Sequence, residues 1–149
     1  MRPTAVEERS VVLDEAARTA MARAYAPYSR FRVGAALRGR DGRVVTGCNV
    51  ENAAYPAGIC AERAAVASAV VQGVSDLEEL VVVTEAGEPT PPCGMCRQVL
   101  YEMAPGLRVT SLTTRGERAT WRISELLPHP FTSGALEHHG AGQDRNRDT

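Results

Sequence analysis

The sequence predicts an α/β domain, a three-layer α/β/α sandwich on a five-stranded mixed sheet whose last two strands run antiparallel. Three observations carry this. Apolar runs with helical spacing alternate with short strand-like runs punctuated by Gly and Pro. The link between the last two strand-like runs, residues 113–118, is far shorter than the dozen or so residues that a parallel crossover takes. Finally, a chain of 149 residues with a hydrophobic fraction of 44% can bury the core of one domain, and it contains no internal repeat and no long linker.

The elements follow in order. Residues 10–25 place Leu13, Ala16, Ala17, Ala20, Met21 and Ala24 on one helical face, and Pro27 stops the helix. Residues 32–38 and 43–50 flank the Gly39–Gly42 turn and read as a β-hairpin. Residues 49–59 then form a loop punctuated by Pro56 and Gly58. Residues 60–72 are rich in Ala and Val and read as a buried helix ended by Gly73. A short apolar strand occupies 80–84, and a stiff proline loop covers 89–92. Residues 93–103 read as a third helix ending near Pro105, followed by strands at 107–112 and 119–123. Residues 124–127 start a short helix that Pro128 cuts off. The stretch from Gly134 to Thr149 is polar and is expected to be a disordered tail, which leaves one domain over 1–136 and a tail over 137–149.

Composition narrows the function classes. A formal net charge of −1 gives no electrostatic reason to expect a nucleic-acid partner. No apolar run reaches the roughly eighteen residues of a membrane-spanning helix. Met1–Ser10 is polar and acidic, without the apolar core of a signal peptide. Four cysteines in a chain without a secretion signal read first as metal or redox chemistry, and the expected location is the cytoplasm.

The chemistry concentrates in two short clusters, Cys60-Ala61-Glu62 and Pro92-Cys93-Gly94-Met95-Cys96. Three thiolates can hold a zinc ion and leave its fourth position open, as catalytic zinc sites do. Both clusters fall at predicted helix N-termini, where backbone amides favour thiolates. Cys93 and Cys96 lie one helical turn apart and can chelate one ion, and Cys60 completes the set from another helix. Zinc lowers the pKa of water to about 7. Glu62, two residues from a ligand, is placed to move that water's proton onto a ring and a leaving amine. Three thiolates leave the centre negative overall, and Arg63 and Arg97 are the candidates to donate to them and offset that charge.

Other readings compete. A closed structural site would need Cys48 as fourth ligand, although Cys48 sits on a predicted strand where a small apolar residue is ordinary. A thioredoxin-like redox reading of Cys93-Gly94-Met95-Cys96 would leave Cys60-Ala61-Glu62 without a purpose.

The order of motifs resembles the cytidine deaminase family, in its small three-cysteine class. The resemblance runs from about residue 25 to 136 and rests on five blocks: Tyr25–Ala36 (Y-A-P-Y-S-x-F-x-V-G-A-A), Gly47–Tyr55 (G-C-N-V-E-N-A-A-Y), Cys60–Arg63 (C-A-E-R), Pro92–Gln98 (P-C-x-x-C-R-Q) and Leu126–Phe131 (L-L-P-x-x-F). It implies the cytidine deaminase-like fold and a zinc-dependent hydrolysis of cytidine and 2′-deoxycytidine to uridine and 2′-deoxyuridine, with release of ammonia, in pyrimidine salvage. It implies one Zn²⁺ per subunit, held by Cys60, Cys93 and Cys96, with Glu62 as the catalytic acid and base. Asn49 and Glu51 match the pair that hydrogen-bonds the ribose 3′-hydroxyl. Phe31 matches an aromatic of the nucleoside pocket, and the backbone of Ala61 matches the contact to the pyrimidine carbonyl. The small class forms homotetramers with shared active sites, and Tyr55 and Phe131 correspond to residues near those sites. Polynucleotide-acting relatives often carry a histidine where Cys60 stands, so this cysteine favours the free-nucleoside class. Two rivals remain, a deaminase of a cytosine-nucleoside antibiotic and a non-catalytic zinc-stabilised binding module. The Asn49-x-Glu51-Asn52 run argues against the first, and Glu62 against the second.

Overall fold

The computed structural model describes residues 4–137. Five helices and five strands lie in the order α1 (Ala5–Met21), β1 (Val33–Gly39), β2 (Val44–Cys48), α2 (Ala61–Gln72), β3 (Leu77–Thr84), α3 (Gly94–Met103), β4 (Arg108–Thr113), β5 (Arg118–Arg122), α4 (Ile123–Leu126) and α5 (Gly134–Glu137). The sheet order is β2-β1-β3-β4-β5. Only β3 and β4 pair in parallel; β1 pairs antiparallel with both β2 and β3, and β4 with β5. The mixed five-stranded sheet expected from sequence is present, with its last two strands antiparallel.

The strand β3 is buried on both faces, and its side chains divide the core. Leu80 and Val82 point to the α2/α3 side, where they join Ala35, Leu37, Ala61, Ala65, Leu100 and Val109. Val81 and Val83 point to the α1 side and pack with Leu13, Ala17, Met21, Ala36 and Leu112. A central strand enclosed by helices reads as a continuous apolar run for this reason. Together the two clusters make the three layers.

Several boundaries differ from the sequence reading. The helix α1 starts at Ala5, because Thr4 caps it: Thr4 Oγ1 accepts from Glu7 N, and Glu7 returns a bond to Thr4 N. It ends at Met21, well before Pro27, because the Tyr25 amide donates to the Asn49 carbonyl and draws the chain toward the hairpin. The strand β3 begins at Leu77, three residues early, because Glu79 is buried there. Its carboxylate pairs with Arg38 on β1 and Arg108 on β4, its direct neighbours in register. The loop 49–59 contains a turn of 3₁₀ helix, Tyr55–Ala57. At the end of the chain, Gly134–Glu137 is helical where a disordered tail was expected, and the remainder of that tail lies outside the described residues. Among the described residues no helix is long and apolar enough to cross a membrane.

Candidate active site

Helix starts position the cysteines. Cys60 is the N-cap of α2 and Cys93 the N-cap of α3, and Cys96 lies in the first turn of α3. Neither cap makes a side-chain hydrogen bond to its helix, so the sulfurs are free to face one another. The thiols of Cys60, Cys93 and Cys96 all lie within 4.8 Å of each other. Cys96 is fully buried, Cys60 half-buried and Cys93 exposed. Cys48 lies on β2 outside this group, which removes the closed four-cysteine arrangement. Three soft donors converging from two helix N-termini are the kind of ligand set that a zinc ion takes.

The cluster favours negative charge. The Cys60 thiol is lowered to about 5, chiefly because the Cys96 thiol donates to it, with Arg63 adding to the effect. The same hydrogen bond, together with burial, pushes the Cys96 thiol up. Arg63 donates to Cys60 Sγ at 3.8 Å and to the Gly58 carbonyl at 3.4 Å, while its Nε is buried without a partner. That contact places a guanidinium against one of the three candidate ligand sulfurs. Arg97 does not share it. Its Nε donates to the Pro92 carbonyl at 2.7 Å and its Nη1 to the Leu126 carbonyl at 2.9 Å. Pointing along α3, it braces the loop before Cys93 instead of reaching a sulfur.

Glu62, in the first turn of α2, is buried with 6% of its surface exposed. Burial raises its pKa above the usual carboxylate range, and the neighbouring Cys60 adds to this against the pull of its own amide. The carboxyl opens into a cleft of about 560 Å³ shared with all of Cys60, Ala61, Arg63 and Cys93. Phe31, Asn49, Glu51 and Tyr55 line the same cleft.

At the far wall, Asn49 and Glu51 hold the loop between α1 and β1. Asn49 Oδ1 accepts from the Val33 amide and its Nδ2 donates to the Phe31 carbonyl, each at 2.8 Å. Glu51 accepts from the Tyr28 and Ser29 amides at 3.0 Å and from the Ser29 hydroxyl. These bonds, the hydroxyl's foremost, hold the Glu51 carboxyl below the usual range. Each side chain keeps hydrogen-bonding capacity beyond these bonds, since an amide and a carboxylate offer about four sites each. Tyr28 and Tyr55 meet edge to face with ring centroids 6.3 Å apart.

Phe131 stands apart. It does not line this cleft, and 61% of its surface is exposed.

The sequence profile of the cytidine and deoxycytidylate deaminase zinc-binding region matches residues 8–111 of the chain. The chain belongs to this deaminase family. It is similar to the cytidine deaminase of Halalkalibacterium halodurans, 43% identical over 127 residues, which is 85% of this chain and 96% of that protein. The cytidine deaminase of Mycobacterium tuberculosis is 46% identical over 112 residues, 75% of this chain and 81% of that protein. The crystal structure of cytidine deaminase from Burkholderia pseudomallei superposes with a TM-score of 0.79 at 45% identity, covering 81% of this chain and 98% of that one. The α/β fold is therefore that of the family's solved members.

Two side chains near the site escaped the sequence reading. Ser29 lines the cleft and orients Glu51. Gln98 bonds both backbone groups of Phe131. Both residues stand inside matched motifs, yet only the folded chain brings them to their partners.

Proposed function

We propose that the protein hydrolyses cytidine and 2′-deoxycytidine to the corresponding uridines with release of ammonia, serving pyrimidine salvage in the cytoplasm. The observation that carries this reading is a buried carboxyl, Glu62, opening into the same cleft as Cys60 and Cys93, two of the three converging thiols. A structural metal site has no use for such a carboxyl. Membership of the deaminase family supports the reaction type. Four free thiols suit a reducing compartment.

Cys60, Cys93 and Cys96 would hold one zinc ion per subunit. When bound, zinc supplies Lewis acidity that makes hydroxide available near neutral pH. The remaining work belongs to the chain. Glu62 takes a proton from water at its buried carboxylate and gives it to the pyrimidine ring nitrogen as the hydroxide adds to the adjacent ring carbon. It then takes the proton of the added hydroxyl and gives it to the amine, which leaves as ammonia while the ring carbonyl forms. Its pKa, raised by burial, makes it a stronger base than an ordinary carboxylate for the first half of that transfer. Arg63 offsets the charge of the thiolates through Cys60. The backbone of Ala61, fully buried between Cys60 and Glu62, is offered to the pyrimidine carbonyl. Phe31 packs beside the nucleoside, while Asn49 and Glu51 direct their spare hydrogen-bonding sites to the ribose 3′-hydroxyl. Arg97 acts indirectly, by bracing the Pro92 carbonyl.

We also propose a homotetramer with shared active sites. Phe131 is exposed and absent from its own cleft, and Tyr55 is 78% exposed at the cleft's rim. Large exposed aromatics beside a pocket mark an interface. In the assembly, Phe131 of one subunit covers the pyrimidine in a neighbour's cleft.

The deciding experiment incubates the zinc-loaded protein with cytidine, 2′-deoxycytidine, free cytosine and cytosine-nucleoside antibiotics, following the ultraviolet change from cytosine to uracil. Rapid turnover of the two plain nucleosides and a very poor rate with free cytosine are expected. Turnover confined to an antibiotic would move the assignment to that class, and no turnover by zinc-loaded protein would leave a binding module. Light scattering tests the tetramer.

A further inference from the structure

We infer that Gln98 is a positioning residue for Phe131, clamping its backbone so that the exposed ring is presented to a neighbouring subunit. The inference rests on the proposed role of Phe131 as the cover of a neighbour's pyrimidine. Gln98 Nε2 donates to the Phe131 carbonyl at 2.8 Å, and the Phe131 amide donates back to Gln98 Oε1 at 3.2 Å. One side-chain amide thus closes a ring on the donor and the acceptor of a single residue, as a neighbouring strand would. This fixes the backbone of residue 131 in place and in orientation.

Little else described around Phe131 does so. The segment between α4 and α5 has no helix or strand. Its flanking backbone bonds are local, from the Leu127 amide to the Ile123 carbonyl on one side and from the Ala135 amide to the Thr132 carbonyl on the other. The ring itself is mostly exposed, so packing within the subunit does not orient it. An unanchored residue carries backbone entropy that binding would have to remove. The clamp removes it in advance.

The grip also has a definite origin. Arg97, adjacent to Gln98, holds the Leu126 carbonyl, so α3 fastens the segment at two points, 29 and 33 residues downstream. The same helix start carries Cys93 and Cys96. The ring that leaves for a neighbour's cleft is thereby keyed to the helix that builds the subunit's own metal site. Only a glutamine fits the clamp. Glutamate keeps the acceptor for the Phe131 amide but sets an oxygen against the Phe131 carbonyl, and asparagine is one methylene short.

A double-mutant cycle on the zinc-loaded enzyme tests this. Q98A is expected to raise KM for cytidine about ten-fold, the worth of two lost hydrogen bonds, with kcat and zinc content nearly unchanged. Q98N should resemble Q98A, and Q98E should be no better. In the F131A background Q98A should then change KM by less than about two-fold, since its effect passes through the missing ring. Equal factors for Q98A in both backgrounds would overturn the inference while leaving the role of Phe131 intact. So would loss of zinc from Q98A, Q98N and Q98E alike, which would make Gln98 a support of the metal site. A normal KM in F131A itself would instead remove the covering role of Phe131, and the inference with it.

Discussion

Glu62 and Glu79 are buried to nearly the same degree, 6% and 7% exposed, in the two halves of the molecule. Their surroundings differ. Glu79 lies on the α1 side of β3 between Arg38 and Arg108, its charge matched from both neighbouring strands. Glu62 faces a cleft and thiols, and burial raises its pKa. A buried carboxylate with two guanidinium partners is a structural element, whereas one that is held uncomfortably at a cavity is available to move protons. The same contrast extends to the layers themselves: α1 closes one face of the sheet, while α2 and α3 bring the chemistry to the other.

The largest expected effect separates the two carboxylates. Glu62→Gln should lower turnover by roughly two or more orders of magnitude with one zinc per subunit retained, and its stability should hold or rise, because a neutral amide replaces an acid that burial disfavours. Glu79→Gln should do the reverse. It strands two arginines and should cost up to about 3 kcal/mol in denaturant unfolding, tempered by the partial exposure of Arg108, while kcat per folded molecule stays near the parent value. Near-normal turnover in zinc-loaded Glu62→Gln would break the proposed mechanism.

A second pair compares how the two layers dock. Within the hairpin, Gly34 lies against α1 and Gly47 against α2. A Cβ on Gly34 would come within 2.0 Å of the Ala17 carbonyl of α1, and one on Gly47 within 2.3 Å of the Ala65 amide and 2.4 Å of the Ala61 carbonyl of α2. Both Gly→Ala changes force a helix off the sheet, so each should cost about 1–3 kcal/mol or somewhat more and lower the melting temperature. Only Gly47→Ala displaces the turn that carries Cys60 and Glu62. It alone should lose zinc on elemental analysis and lose kcat/KM, about ten-fold or more for misplacement of the catalytic turn. Equal zinc loss from both variants would mean that the layers are not separable in this way.

A milder test concerns the sulfur outside the cluster. Cys48 pairs with Gly34 across the hairpin, on β2. Cys48→Ala should keep its zinc and its kcat, with only a small loss of packing. Zinc lost from this variant alone would restore the four-cysteine reading.

These comparisons also mark what was legible in the sequence. The spacing of Cys93 and Cys96 and the start of an Ala-rich helix at Cys60 placed three thiols at two helix N-termini, because such features are set by nearest neighbours along the chain. The antiparallel end of the sheet followed from the length of one loop. Long-range partners were hidden. The strand expected at residues 80–84 left Glu79 outside it, since Arg38 lies 41 residues away and its side chain meets Glu79 only after the sheet has formed. The early end of α1 depends on a carbonyl at Asn49. Arg97 looked like a donor to the thiolates because it follows Cys96, but a helix turns the next side chain by about 100° away from its neighbour's direction, and it meets Pro92 and Leu126.

The smallest expected effect compares two carboxylates that are held low by the same device, a local hydrogen bond. At the start of α1, Glu7 is lowered by the Thr4 amide and then by the Thr4 hydroxyl. In the cleft, Glu51 is lowered first by the Ser29 hydroxyl and then by the Ser29 and Tyr28 amides. The sign is the same for both. A folded pKa below the unfolded value means that the folded state binds fewer protons, so the favourable contribution is complete above the usual carboxylate pKa of about 4 and fades as pH falls through the lowered folded value. The consequences differ with location. Ser29→Ala removes the main cause of the Glu51 shift, so its carboxylate should begin to take up a proton at a higher pH than in the parent. The ratio of KM for cytidine, variant over parent, should therefore grow as pH falls, by no more than about 1.3-fold between pH 7.5 and pH 5, where a carboxyl of ordinary pKa is about one-fifth protonated. Taking the ratio cancels any acid-dependent loss of zinc that the two proteins share. Thr4→Ala should lower the melting temperature slightly and leave that KM ratio flat with pH, because Glu7 touches no substrate. A flat ratio for Ser29→Ala as well would show that the charge on Glu51 is not what holds the sugar, and would leave Asn49 to carry the contact.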